Sequence, residues 1–311
     1  LAGVVIVALV ATIVVIVWRV TAGPRSEGAP PASTPPPPSA ESTVDSLPSV
    51  LADSPSPSPS PPSPPPVPAA DLVALAEQAA TPGMTLGVAV LNVNTGEVAE
   101  GANSGRTFIS ASLSKLLVVV DMYDRQRAEG RTIDDADRAL VERALTRSDD
   151  GAMNLLWGRY DGRGAVNRVA GKLGLGATRP PSDASQWGDT QVTAGDFVRI
   201  YQYILRDMAA EDRAVIVDAL ARTQQVAGDG FDQYFGLLGR GASDRVYAKQ
   251  AWVPYRPAGY LLHSAGVVHD SRTGTDYAIT LLSIQGSVSA PTARERLSTV
   301  AAGMLDALGA P

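Results

Sequence analysis

Apolar and polar residues are patterned along this chain in three different ways, one after another. Residues 1–17 contain no charged side chain and end in Trp18-Arg19. Eighteen helical residues cover about 27 Å, close to the hydrocarbon thickness of a bilayer. A tryptophan at the end of such a run suits the membrane interface, so the pattern predicts a transmembrane helix over 1–18. Val20-Thr21-Ala22 ahead of Gly23 resembles a small-residue cleavage site, which makes a cleaved signal peptide the alternative. Over 19–68 the periodicity vanishes. Seventeen of the chain's 24 prolines fall between Gly23 and Pro68, in runs such as Pro35-Pro-Pro-Pro38. A segment of that composition cannot bury a core and reads as an extended, polyproline-like spacer. Fully extended, it would reach on the order of 140 Å.

From residue 69 to 311 the pattern is that of a folded domain. Asp71–Ala80 reads as a helix. Met84–Val93 reads as a strand, Asn94-Thr-Gly-Glu97 as a hairpin turn and Val98 onward as its partner. An apolar run from Leu116 to Val120, followed by polar residues and Gly130, predicts a helix buried at its start and exposed at its end. Helices follow over Asp135–Arg147, Asp150–Trp157, Ala165–Leu173, Thr193–Met208 and Ala210–Val226, with a loop over Gly174–Asp189. Strands are expected at Arg245–Val253, Tyr260–Val268 and Asp276–Ile284, and a last helix at Thr292–Leu308. Two strands, a block of helices, three strands and a terminal helix predict an α+β fold. Its five-stranded antiparallel sheet would be flanked by helices, beside an all-helical subdomain.

Composition narrows the chemistry. A net charge of −6 without a basic run argues against nucleic acid as a partner. The absence of cysteine removes disulfides, thiolate metal sites, a thiol nucleophile and a lipidated-cysteine anchor. Two histidines, His263 and His269, offer little to a Ser-His-Asp triad, and without a third ligand they do not make a metal site. No cofactor or metal is expected.

Ser112-Leu-Ser-Lys115 stands at the start of the apolar helix. Residues three apart share a helix face, so the hydroxyl and the ammonium fall one turn apart. A lysine whose pKa is lowered by burial can take a serine proton, and a helix start offers N–H groups to an oxyanion. Two later stretches join it. Ser148-Asp149-Asp150 lies on a turn before a helix, and Lys249-Gln250-Ala251 lies on a strand.

On these three motifs the chain resembles the penicillin-recognising serine enzymes, the class A β-lactamases and D-Ala-D-Ala peptidases, whose motifs are S-x-x-K, S-D-N and K-T-G. The segment Ala144–Leu156 and the Gly188–Thr193 stretch leading into a helix resemble the family as well. The resemblance implies that Ser112 is acylated and that Lys115 is its base or proton relay. Ser148 would pass a proton to the leaving nitrogen, and Lys249 would supply positive charge. The main-chain N–H groups of Ser112 and Trp252 would form the oxyanion hole, and Asp150, Gln250 and Ala251 would border the substrate. The partner implied is a β-lactam or a peptidoglycan stem peptide, met by a monomer tethered by its N-terminal helix with the catalytic domain on the cell-wall side of the membrane.

The departures matter as much. Asp150 stands where the family has an amide donor, Gln250 replaces Thr and Ala251 replaces Gly. The stretch between Lys115 and Ser148 is shorter than in class A enzymes. The loop from Gly174 to Gly188 lacks the family's deacylating glutamate; Asp183, its one acid, is the candidate deacylation acid, with a solvated loop residue as its simpler role. Acylation of Ser112 with slow release is therefore expected. The alternatives are a degenerate relative that binds cell-wall peptides or a protein partner, and an unrelated Ser-Lys esterase or amidase. Trp157, Trp187 and Trp252 could line a groove, with core or rim packing as their simpler role.

Overall fold

The computed structural model describes residues 64–254 and 259–310. The expected transmembrane helix and nearly all of the Pro/Ser-rich spacer lie outside the described residues. Among the described residues no helix is long and apolar enough to cross a membrane.

The central element is an antiparallel sheet. Its strands are β1 (Met84–Asn92), β2 (Val98–Glu100), β5 (Val246–Pro254), β6 (Gly259–Asp270) and β7 (Thr275–Gly286), in the order β2-β1-β7-β6-β5. Both faces are buried, so period two sorts each strand between two cores. Val88 and Val90 of β1, and Tyr277, Ile279 and Leu281 of β7, point to one core. Ala89, Leu91, Ala278 and Leu282 point to the other. The first core is closed by α1 (Ala69–Ala79) and α8 (Ala290–Ala307), which supply Leu72, Ala76, Leu297 and Val300. Elements from both ends of the globular region thus pack together, as the chain order predicts. They also converge on one hairpin: Tyr277 Oη donates to the Val67 carbonyl at 2.7 Å, and Arg272 donates to the Ala307 carbonyl.

The second core is covered by helices. α2 (Ser114–Glu129) is buried without interruption from Ser114 to Tyr123 and ends at Gly130, whose φ of 66° takes the left-handed C-terminal turn. Around it lie α3 (Asp135–Thr146), α4 (Asp150–Arg159), α5 (Gly162–Leu173), α6 (Ala194–Arg206) and α7 (Ala210–Ala221). Their starts are written in polar residues: Asp134 accepts from the Asp137 N–H, Asp149 from Ala152, and Thr193 from Asp196. Arg168 of α5 clasps the buried Asp121 of α2 with two bonds of 2.8 Å, a fork geometry suited to tying two helices.

Three features differ from expectation. Ser112 lies in a short 3-10 turn, Ala111–Leu113, that runs into α2 rather than within the α-helix. α7 stops at Ala221, five residues early, and the chain turns away through Gly228-Asp229-Gly230. A two-stranded ribbon, β3 (Phe108–Ile109) with β4 (Gln191–Val192), has no periodic signature because each strand is two residues long.

Candidate active site

The approach to Ser112 is held from three directions. β3 pairs with β4, and the next N–H, that of Ser110, donates to the Thr190 carbonyl at 2.6 Å. His263 on β6 is fully buried, and its Nε2 lies 2.9 Å from the Ile109 carbonyl. Burial lowers the His263 pKa to about 4. The ring is therefore neutral at pH 7, and its Nδ1 lies 2.9 Å from the Leu262 carbonyl and 3.2 Å from the Ser283 N–H. Ala111 then adopts a φ of 44°, left-handed and uncommon for a residue with a Cβ. Backbone strain of this kind persists only where the surroundings impose it. Ser148 shows it too, at 52°.

The structure brings Ser112, Lys115, Ser148 and Lys249 together. Lys115 has no exposed surface. Its Nζ lies 2.8 Å from Ser112 Oγ, 2.6 Å from the Ser148 carbonyl, 3.2 Å from Ser148 Oγ and 2.6 Å from Asp150 Oδ1. The Trp187 ring lies alongside, its centroid 4.7 Å away. Burial pushes the Lys115 pKa below its usual value, against the opposing pull of Asp150. Lys249 Nζ lies 2.8 Å from Ser148 Oγ and 2.7 Å from the Gln250 carbonyl. Its burial, with Lys115 beside it, pushes its pKa well down. A neutral Lys249 amine can accept the Ser148 hydroxyl proton while donating to the Gln250 carbonyl. The four side chains form an unbroken path for a proton from Ser112 to Lys249.

The residues expected to border the substrate divide sharply. The Asp150 side chain is 62% exposed and reaches over the buried Lys115. Gln250 faces the opposite way. Its Nε2 donates to the Gln233 and Phe235 carbonyls inside the sheet's other core, at 3.1 and 2.5 Å. Period two requires this, because Lys249 on the same strand points to the helical side. Ala251 is fully buried in the core on that side. What Gln250 can offer the cleft is main chain. β5 is an edge strand, so alternate N–H and C=O groups along its outer side have no strand partner. The Gln250 carbonyl, met by Lys249 Nζ, is one of them, and the Trp252 N–H, two residues on, points the same way.

A cavity of ≈ 150 Å³ opens above Ser112, lined by Asp150, Trp187, Asp229, Trp252 and Val253. Past Trp187 it continues into a space of ≈ 400 Å³ bordered by Asn154, Gln186 and Asp189. Trp252 stacks on Phe231 at 4.7 Å, and its Nε1 donates to Asp229 at 3.0 Å. Trp187 is fixed by Asn154 at 2.7 Å, and Trp157 by the Ala184 carbonyl at 2.8 Å. Asp183 does not line either space. It is exposed, and its carboxylate accepts from the N–H and hydroxyl of Ser185 at 2.9 and 2.8 Å, which hold its pKa below the usual carboxylate range.

Sequence reasoning missed Asp229 and Asp189. Gly228-Asp-Gly230 reads as a turn, and nothing in the sequence ties that turn to Ser112. Among the described residues no cluster of three His, Asp or Glu side chains could hold a metal ion. His269, on the same face of β6 as His263, pairs with Asp276 at 2.7 Å.

With this geometry in view, the comparisons fall into place. No protein-family model matches the chain. Proteins named "Putative lipoprotein LppW" from Mycobacterium tuberculosis and Mycobacterium bovis are 32% identical over 200 residues. The match spans 63% of this chain and 63% of those relatives, so it leaves over a third of their length unaccounted for. Among solved structures, TLA-1 extended-spectrum β-lactamase superimposes with a TM-score of 0.65 at 13% identity, over 78% of this chain and 99% of its own. A class A β-lactamase from Bacteroides cellulosilyticus gives 0.63 at 14% identity, over 77% and 98%. A PBP-A variant in an acyl-enzyme complex with penicillin G gives 0.61 at 18% identity, over 79% and 99%. The chain therefore has a divergent β-lactamase-like fold, as its motifs led one to expect, and at these identities the likeness is one of fold.

Proposed function

We propose that this protein is an acyl-serine hydrolase of the β-lactamase and penicillin-binding type, with Ser112 as nucleophile. The observation that carries the reading is the Ser112–Lys115–Ser148–Lys249 chain, whose successive contacts are 2.8, 3.2 and 2.8 Å. A neutral Lys115 takes the Ser112 proton as Oγ attacks an amide carbonyl. The N–H groups of Ser112 and Trp252 receive the oxyanion, and Ser148, backed by Lys249, gives the leaving nitrogen its proton. The acyl donors are β-lactams or D-Ala-D-Ala-type stem peptides.

Release of the acyl group is slow in this reading. Asp183 is turned to Ser185, and without a base aimed at the ester, water attacks unaided. No cofactor takes part. The domain works as a monomer on the cell-wall side of the membrane, attached through residues 1–18; the lipoprotein name of the relatives supports a membrane association.

The test is intact mass of the full chain after incubation with benzylpenicillin, with Ser112→Ala as control. A lasting adduct on the native chain, absent from the variant, is expected. Consumption of penicillin without an adduct would mean rapid deacylation through an unassigned base. Intact penicillin with no adduct would favour the degenerate binder, to which the displaced Gln250 and the buried Ala251 already lend some support.

A further inference from the structure

The cleft above Ser112 has an unusual charge for a site meant to hold an anion. Among the described residues, no Lys, Arg or His lines the cavity or its continuation. Both lysines lie beneath the floor, at 0 and 1% exposure. Lys115 Nζ is already engaged by Asp150, Ser148 and Ser112, and Lys249 is turned to Ser148 and the Gln250 carbonyl. The walls carry the opposite sign. Asp150 reaches in from the start of α4 and Asp229 from the Gly228–Gly230 turn, and Asp189 stands further out.

Two indoles complete the enclosure, Trp187 on one side and Trp252 on the other. An aromatic face attracts a cation through its quadrupole, and more strongly where water is excluded. Trp252 is held rigid by its stack on Phe231 and by its bond to Asp229, so this wall needs no ordering when a ligand enters. A carboxylate entering the cavity would meet two like charges and, among the described lining residues, no exposed cation. An ammonium group would meet the Asp150 and Asp229 carboxylates between the Trp187 and Trp252 side chains.

We infer that Asp150 and Asp229, with Trp187 and Trp252, make the Ser112 cleft selective for acyl donors that carry an ammonium group beside the reacting amide, and make it discriminate against those that carry an extra carboxylate there. The inference rests on the proposed acyl-serine reading and gives it a substrate class: cationic peptides or amides. The selectivity is electrostatic, so added salt weakens it.

Three penicillins that differ at one carbon test it. Ampicillin carries an ammonium on the side-chain carbon where carbenicillin carries a carboxylate and benzylpenicillin neither. Equilibrium binding of each to the full-length Ser112→Ala chain is measured by calorimetry, in which no chemistry intervenes. The expected order is ampicillin, benzylpenicillin, carbenicillin, with roughly tenfold between neighbours at low salt. Asp229→Asn, which keeps the bond from Trp252, should compress the ampicillin-to-carbenicillin ratio by about tenfold, and Asp150→Asn should do so independently. Equal binding, a reversed order, no binding of ampicillin, or a ratio unchanged in both variants would each overturn the inference. Adduct formation on the native chain judges the parent reading separately. A lasting adduct formed equally fast with all three penicillins would leave that reading standing without this selectivity.

Discussion

At the scale of single residues, Asp150 is the most consequential departure from the motifs. It stands where an amide was expected, and its carboxylate lies 2.6 Å from Lys115 Nζ, opposing the fall in pKa that burial imposes. A lysine that keeps its proton cannot take one from Ser112, so Asp150 restrains the proposed nucleophile while it shapes the cleft. Asp150→Asn should therefore raise the rate of Ser112 acylation at neutral pH by roughly tenfold and shift the rising limb of its pH profile to lower pH. Stopped acylation time courses from pH 5 to 9 would show this; a slower variant with an unshifted limb would mean that Asp150 serves the substrate alone. Ser112, Lys115, Ser148 and Lys249 were legible because each sits in a short motif with a local reason for its place. Asp229 was not, because its role depends on a turn approaching Ser112 across more than a hundred intervening residues. Gln250 was misplaced for a different reason. A motif assigns a residue to a site, whereas strand alternation decides which way its side chain points, and the two conflict at that position.

At the scale of elements, β6 braces the nucleophile's approach through His263. The ring fills a buried position against Phe108, edge to face at 5.8 Å, and holds the Ile109 carbonyl. Its pKa falls from 6.5 to about 4 on folding. The unfolded chain therefore binds a proton before the folded one does. The stability that neutral His263 contributes is complete above pH 6.5 and is lost as pH falls toward 4, by about 3 kcal/mol. Urea unfolding at pH 7 and pH 4.5 should show this loss in the native chain. His263→Gln should be less stable at pH 7 yet lose less on acidification, and it should acylate more slowly because the Ile109 carbonyl is less firmly held. A loss on acidification as large as the native chain's would remove His263 as its cause. Most helices and the long strands were legible, the helices because most bury one face with their own period and the strands because, buried on both faces, they are apolar-rich runs bounded by turn residues. The β3–β4 ribbon was not, since two residues show no period, and neither was the early end of α7, beyond which the Gln224 N–H turns to the Thr146 carbonyl across the fold.

At the scale of the whole molecule, the described residues form one compact unit, whose fold is that of proteins sharing under a fifth of its sequence. The fold class could be read from the order and period of the elements, while the substrate could not. The uncharged stretch over 1–17 predicts that the full chain partitions with membranes and that the chain from Ser60 onward does not. Carbonate extraction of expressing cells would separate the two cases. Recovery of the full chain in the soluble fraction, uncleaved, would end the proposal of a membrane attachment. The hairpin that joins β6 to β7 receives both ends of the compact unit, Val67 through Tyr277 and Ala307 through Arg272, whereas Trp252 and Val253 border the cleft at the other end of the strands. Linear order is then a replaceable property of this protein. A short flexible linker could fuse the two ends, with new termini opened in the exposed Gly130-Arg131-Thr132 turn, giving a circularly permuted chain in which every residue of the cleft keeps its neighbours.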